Sequence, residues 1–325
     1  MNVKWSLCVP LMAGLLAAGC SAPATRATLP SSTPAAPALI RVGLKEGNRI
    51  TIRKVPLETY VQAAILSEFA PPSGDPEIVE RMLEVQAVIG RTYVLAHLGR
   101  HAADGFDVCA TTHCQLFQPS RLTTSRWTTQ SADAIRQTRG TVLWFDGAPA
   151  TALFHADCGG RTSGADEVWG GAGRPYLVSA ADDGPAEEAH AVWRYEATRI
   201  ALVAALNKDP RTRVGARLDG LQVLDRDAAG RAERIAIHGA DERIVRGEAL
   251  REVLAQALGA RTIKSTWFDV HRDGGAFVFE GRGFGHGVGL CQAGALARIR
   301  AGAKVPAILQ RYFPGTKLVT LRGRS

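Results

Sequence analysis

The chain has 325 residues, of which 46% are hydrophobic and 22% charged, so it can bury one large core or two smaller ones and is neither disordered nor collagen-like in composition. Aromatic residues make up only 6%, and the net charge is +8. That charge admits anionic partners, but Lys and Arg are interspersed with no basic block of the kind that forms a nucleic-acid arm, so no nucleic-acid partner is expected.

The N-terminal stretch MNVKWSLCVPLMAGLLAAGC carries Lys4, an apolar run over 7–18 and then small residues. This is the pattern of an export signal, and its apolar part is too short to span a bilayer. Its end, LAAGC at 16–20, resembles the bacterial lipoprotein signal, in which cleavage precedes a cysteine that is acylated on its sulfur and new amino group. A plain signal peptide with an incidental cysteine is the competing reading. The resemblance implies a signal at 1–19, lipidation at Cys20 and an exported, membrane-anchored protein, on the periplasmic face of the outer membrane in a two-membrane cell. Residues 20–39 are rich in Ala, Pro, Ser and Thr and read as an unstructured tether. Export also sets a disulfide-permissive compartment. With Cys20 acylated, four thiols remain: Cys109, Cys114, Cys158 and Cys291.

Strands are expected at 40–44 and 49–54, then a helix in VPLETYVQAAILSEF, where Leu57, Tyr60, Val61, Ala64 and Ile65 recur at helical spacing. Pro71 and Pro72 stop it, and Asp75 before Pro76 opens a longer helix that runs to about residue 98, before Gly99. Strand-like stretches at 140–145 and 150–155 precede a long turn-rich loop over 164–185. Residues 193–207 read as strand into helix, 218–237 as a hairpin turning at 228–230, and 247–258 as a helix. Two strands surround Asp273-Gly274-Gly275 within 268–279, and short helices follow at 292–300 and 306–312. Strands and helices mix without a βαβ rhythm, so the expected class is α+β, a mixed sheet with helices in a single domain over 40–320 and a tail at 321–325.

Glu68 lies three and four residues beyond Ile65 and Ala64, on the face those residues bury, and at a helix C-terminus, where free carbonyls disfavour a negative charge. Both effects raise a carboxyl pKa, as a general acid near neutral pH requires. The competing reading is a glutamate that frays into solvent. In GFDVCATTHCQLF, the residues Cys109, His113 and Cys114 are soft metal-ligand types, with His101 eight residues before Cys109. A Cys109–Cys114 disulfide competes with a metal there. GRGFGHGVGL at 281–290 lacks the G-x-G-x-x-G spacing and any G-K-[ST] ending, which excludes a dinucleotide or phosphate loop. Its period of two predicts a continuing extended segment, with one bare face where another backbone or a ligand comes close, and His286 on the other face. His155 precedes its own Gly-Gly pair, and both histidines could equally be satisfied structural residues.

These residues resemble the stage II sporulation protein D and amidase-enhancer family of cell-wall proteins. GRGFGHGVGLCQAGALA is the most specific match. VPLETYVQAAILSE, EVQAVIGRTYVLAH, DVCATTHCQLF, ALFHADCGGRTSGADEVWGG, VRGEALREVL, IKSTWF and ILQRYFPGTKL also match, in the family's order, across 40–320. The resemblance implies a lytic transglycosylase acting on peptidoglycan glycan strands, with strands stripped of stem peptides preferred in the best-known branch, in a domain whose two lobes form a glycan cleft. The family's catalytic glutamate falls on Glu68, acting as acid and then base to leave a 1,6-anhydro end. No second carboxylate stands out in the matched segments, as that mechanism allows. The chemistry requires no cofactor; a structural zinc is implied at Cys109, His113 and Cys114, with His101 as the fourth ligand. Arg91, Tyr93, His155 and His286 fall in motifs that would line the sugar cleft, and Cys158–Cys291 is the expected disulfide between Gly-rich segments. The lipoprotein anchor departs from a purely sporulation role. The alternative activity is a non-catalytic glycan binder that stimulates a cell-wall amidase. A zinc hydrolase has no H-E-x-x-H motif behind it.

Overall fold

The computed structural model describes residues 35–47, 49–69, 71, 75–183 and 191–323. The expected export signal, its Cys20, most of the expected tether and Pro72 lie outside the described residues. The fold is α+β, with helices among several small sheets.

Strands β1 (Leu39–Glu46) and β2 (Arg49–Pro56) pair antiparallel, and Ile40 and Val42 of β1 are fully buried. Pro56 ends the hairpin and leads directly into α1 (Leu57–Glu68), which buries Leu57, Tyr60, Val61, Ala63, Ala64, Ile65 and Leu66. The longer helix α2 (Pro76–Ala96) is capped as expected: the Asp75 carboxylate accepts from Glu77 N at 2.9 Å, and proline takes the first turn, where a missing N–H costs nothing. Every residue of α2 from Val85 to Leu95 is buried, so it is the axle of the first core. Each fully buried Val, Leu or Met there contributes about 1.5–3 kcal/mol of transfer free energy.

Packed around that axle are α1, α4 (Thr128–Gln137) and β4 (Thr141–Phe145), together with the C-terminal helices α8 (Gln292–Arg300) and α9 (Val305–Tyr312). The short strand β3 (Val108–Cys109) runs parallel to β1, and α3 (Arg121–Thr124) precedes α4. β5 (Phe154–His155) pairs in parallel with β12 (Leu290–Cys291), and β13 (Lys317–Thr320) pairs antiparallel with β4.

A second core forms between residues 193 and 279. Strand β6 (Trp193–Thr198) joins β11 (Ala276–Gly281) and β10 (Phe268–Asp273) in one antiparallel sheet. The strands β7 (Leu218–Arg226), β8 (Ala232–Gly239) and β9 (Arg243–Arg246) form another. Helices α6 (Arg199–Leu206) and α7 (Gly247–Leu258) pack against them, with Phe268, Phe277 and Phe279 buried in the middle. No helix among the described residues is long and apolar enough to cross a membrane.

Four expectations are corrected. The 150–155 stretch is a strand only at Phe154–His155, and the loop over 164–185 contains a helix, α5 (Ala165–Trp169), whose start is satisfied by the Glu167 side chain accepting from Gly164 N. The folded unit extends past both expected edges: Ala35–Ala36, assigned to the tether, pairs in parallel with Arg322–Gly323, assigned to the tail. Most importantly, GRGFGHGVGL is no regular strand. Strand β11 ends at Gly281, and Gly283, Gly285, Gly287 and Gly289 all take left-handed φ values between 73° and 101°.

Candidate functional site

Glu68 is the last residue of α1, below the buried Ala64 and Ile65. The segment from Leu116 to Arg121 closes over this helix end. Leu116 N donates to Glu68 Oε1, Gln118 N donates to Ser67 Oγ at 3.0 Å, and Arg121 Nε donates to the Leu66 carbonyl at 3.1 Å. The Phe117 ring stacks on Tyr60, with centroids 5.0 Å apart. Burial raises the Glu68 carboxyl above the ordinary glutamate value, and the Leu116 hydrogen bond only partly opposes this. The result is a half-buried carboxyl anchored by one backbone amide at the mouth of a helix end.

The same segment carries the Cys/His cluster. Cys109 ends β3, and its neighbour Ala110 donates to the Gly43 carbonyl. Gly43 must lack a side chain, because a Cβ there would sit 2.7 Å from the Phe106 ring, and Phe106 stacks on His101 at 4.8 Å. His101 Nε2 lies 3.3 Å from Cys114 Sγ, and His113 Nδ1 lies 3.7 Å from both Cys109 Sγ and Cys114 Sγ. All four donor atoms fall within 4.8 Å of one another. Zinc bonds of about 2.0–2.3 Å in a tetrahedron put donors about 3.3–3.8 Å apart, so these two sulfurs and two nitrogens have the kind, number and spacing of a Cys₂His₂ site. Both cysteines are free thiols, so the rival short-range disulfide is not formed. Burial pushes the Cys114 thiol up to about 11. It works against Cys109 too, but hydrogen bonds from Thr111 and His113 outweigh it and bring that thiol down to about 6.

The other expected site residues divide differently. Arg91 is fully buried and forked onto Glu58, with Nε to Oε1 at 3.0 Å and Nη2 to Oε2 at 2.6 Å, while Nη1 reaches the Thr141 carbonyl at 3.1 Å. It ties α1, α2 and β4 together and has no surface to offer a sugar, which corrects its assignment to the cleft. Breaking such a buried pair costs about 3–5 kcal/mol. Tyr93 is also buried, stacked on His97 at 4.1 Å, and burial pushes its phenol up to about 12.

His286 Nδ1 accepts from Val288 N at 3.0 Å, and the ring bonds the Phe154 carbonyl in turn. Trp169 covers it at 5.1 Å, and desolvation brings its imidazole down to about 4. His155 is buried beside it and held neutral by burial. Both rings thus pack along the Gly-rich segment, His155 buried and His286 half-buried. The close backbone approach expected of the glycines is present: a Cβ on Gly283 would meet the Asp157 carbonyl oxygen at 2.8 Å, and one on Gly289 the Leu153 carbonyl oxygen at 2.2 Å. Cys158 and Cys291 are neighbours, with Cys158 N donating to Cys291 Sγ at 3.2 Å, but both thiols are free and the expected disulfide is not formed.

A sequence profile described as Stage II sporulation protein matches residues 45–145, the stretch that holds α1, α2, Glu68 and the whole Cys/His cluster. A second, described as Domain of unknown function (DUF8618), matches residues 184–289, which hold the second core and most of the Gly-rich segment. Stage II sporulation protein D of Bacillus subtilis (strain 168) is 26% identical over 280 residues, covering 82% of this chain and 76% of that protein. The amidase enhancer of the same organism is 26% identical over 286 residues, covering 73% of this chain but 38% of that protein. The domain match and these relatives together support the stage II sporulation protein D and amidase-enhancer family for this chain.

Three polar groups, two of them buried, escaped the sequence reading. Glu58, the partner of Arg91, sits in the first turn of α1 and looks in sequence like an ordinary helix-start acid. Asp182 is buried, accepting from Tyr312 Oη at 2.6 Å and Arg298 Nη2 at 3.0 Å. Arg231 is buried next to a hairpin turn, and only the bare face of the Gly-rich segment, into which it packs under Gly287, hinted at a neighbour there.

Proposed function

We propose that this stage II sporulation protein D family member is a lytic transglycosylase of peptidoglycan glycan strands, with Glu68 as acid and then base. The observation that carries this reading is the Glu68 carboxyl itself, raised by burial and fixed through Oε1 by Leu116 N. With Oε1 accepting, the transferable proton resides on Oε2. That proton passes to the glycosidic oxygen as its bond to the N-acetylmuramic acid anomeric carbon breaks. The carboxylate left behind then takes the proton of the same sugar's C6 hydroxyl as O6 bonds to that carbon. A 1,6-anhydro end forms, no water is consumed, and the acid is restored, so one carboxyl suffices.

His101, Cys109, His113 and Cys114 would hold a structural zinc. When bound, it supplies a fixed cross-link in the segment that presents Leu116 to Glu68. Acylation at Cys20 would place the domain on a membrane facing the cell wall.

A second reading rests on the name of one relative, amidase enhancer: the chain would bind glycan and stimulate a cell-wall amidase without cutting. Mass spectrometry of glycan strands, peptide-free and intact, separates the two. The purified chain should generate anhydro-muramyl ends, and Glu68→Gln should lower that yield by about 10²-fold or more. If both proteins leave the strands uncut yet stimulate an amidase equally, the second reading replaces the first.

A further inference from the structure

A separate cluster lies where β5, the turn after it and β12 converge. Cys158, Cys291 and His155 are 3%, 1% and 4% exposed, and two sulfurs and one ring nitrogen lie within 4.8 Å of one another. The His155 ring donates through Nδ1 to the Val288 carbonyl at 3.2 Å, which leaves Nε2 a bare lone pair; that buried nitrogen has no partner among the described residues. An orphaned buried acceptor of this kind is destabilising unless something fills its need.

Beside it stands a buried cation. The Arg231 guanidinium is 1% exposed, donates to the Cys158 carbonyl at 2.7 Å and the Gly285 carbonyl at 3.4 Å, and has an unpartnered Nε. Among the described residues no carboxylate bonds its guanidinium directly; the charges acting on it are those of Asp227, Cys158, Glu248 and Cys291. A buried cation favours negative charge close by, and two thiolates would add to it.

We infer that His155, Cys158 and Cys291 form a second, buried site for a thiophilic d¹⁰ cation, distinct from the four-residue Cys/His cluster. Even at the 4.8 Å limit the centre of the donor triangle lies about 2.8 Å from each corner, so bonds of about 2.0–2.3 Å need shifts of about 0.5–0.8 Å. On binding, both thiols release their protons to solvent and His155 Nε2 contributes its lone pair. Three donors suit copper(I) better than zinc(II), which takes four. This site is independent of the Glu68 reading and makes no use of glycan cleavage.

The test is native mass spectrometry of the full chain, produced in medium supplied with copper or with zinc and purified under reductant. The variant Cys109→Ser/Cys114→Ser, which removes the first cluster, should retain one metal per chain, with X-ray absorption showing two sulfur and one nitrogen neighbours. Copper(I) in preference to zinc(II) is expected. His155→Gln in that background should weaken retention at least about tenfold against a competing chelator. A metal-free Cys109→Ser/Cys114→Ser protein whose Cys158 and Cys291 thiols alkylate freely, as peptide mapping shows, would overturn the inference. So would a mass 2 Da lower with those thiols refractory, which would mean that Cys158 and Cys291 form a disulfide instead.

Discussion

At the scale of single residues, the environment of Glu68 fixes the sign of its pH dependence. A free glutamate titrates at about 4.3, and burial raises the folded-state value above that. Between those two values the folded chain binds more protons than the unfolded one, so stability falls as pH rises through the window and the full penalty persists above it. Below about pH 4 the penalty is gone. Glu68→Gln stays neutral and still accepts from Leu116, so it should melt higher than wild type at pH 8, with the gap closing towards pH 4. Thermal denaturation across that range checks this, and a gap that stays flat or widens on acidification would show that the carboxyl is not desolvated. The placement of Glu68 on a buried face was legible from Ala64 and Ile65 alone. Its anchor was not, because Leu116 is 48 residues away and contributes only a backbone amide. Arg91 misled for a related reason: a motif arginine looks like a ligand-binding group until its partner, 33 residues earlier, is known.

At the scale of elements, strong local signals survived folding and weak ones did not. α2 was legible because its cap, its first-turn proline and its apolar spacing all agree. α4 was missed because only Ser131, Ala134 and Ile135 of its ten residues are buried, too few to show a period. The Gly-rich segment had a clear period of two, yet that period has a different cause from a strand's. Every second residue takes a left-handed φ that a side chain resists, and the bare positions face backbone. Gly289→Ala therefore meets two costs, about 1–2 kcal/mol for the backbone conformation and about 1–3 for forcing a Cβ against the Leu153 carbonyl. Gly274→Ala, in the β10–β11 turn with φ 54° and open space around it, meets only the first. Urea denaturation should show Gly289→Ala losing about twice as much stability as Gly274→Ala or more. Equal losses would mean that the Leu153–Gly289 contact yields without cost.

At the scale of the whole molecule, the sequence announced α+β and a chain long enough for two cores, but not where they separate. The first core takes residues from both ends of the chain and the second is inserted between them, an arrangement that hydrophobic periodicity cannot reveal. Arg231, at the start of β8, reaches from the second core's sheet to the carbonyls of Cys158 and Gly285. Hydrogen bonds from a charged donor to buried carbonyls contribute about 1.5–3 kcal/mol each, so this side chain is a principal tie between the cores. Arg231→Ala removes the tie and leaves both carbonyls buried without it, while the aromatic packing of Phe268, Phe277 and Phe279 is untouched. The cores should then lose their common transition. Differential scanning calorimetry is expected to show one endotherm for wild type and two for Arg231→Ala, the new low-temperature one belonging to residues 193–281, as limited proteolysis at that temperature would show. A single endotherm shifted as a whole would mean that the cores are coupled through the β5–β12 pairing and the Gly-rich wall, with Arg231 only one contact among many.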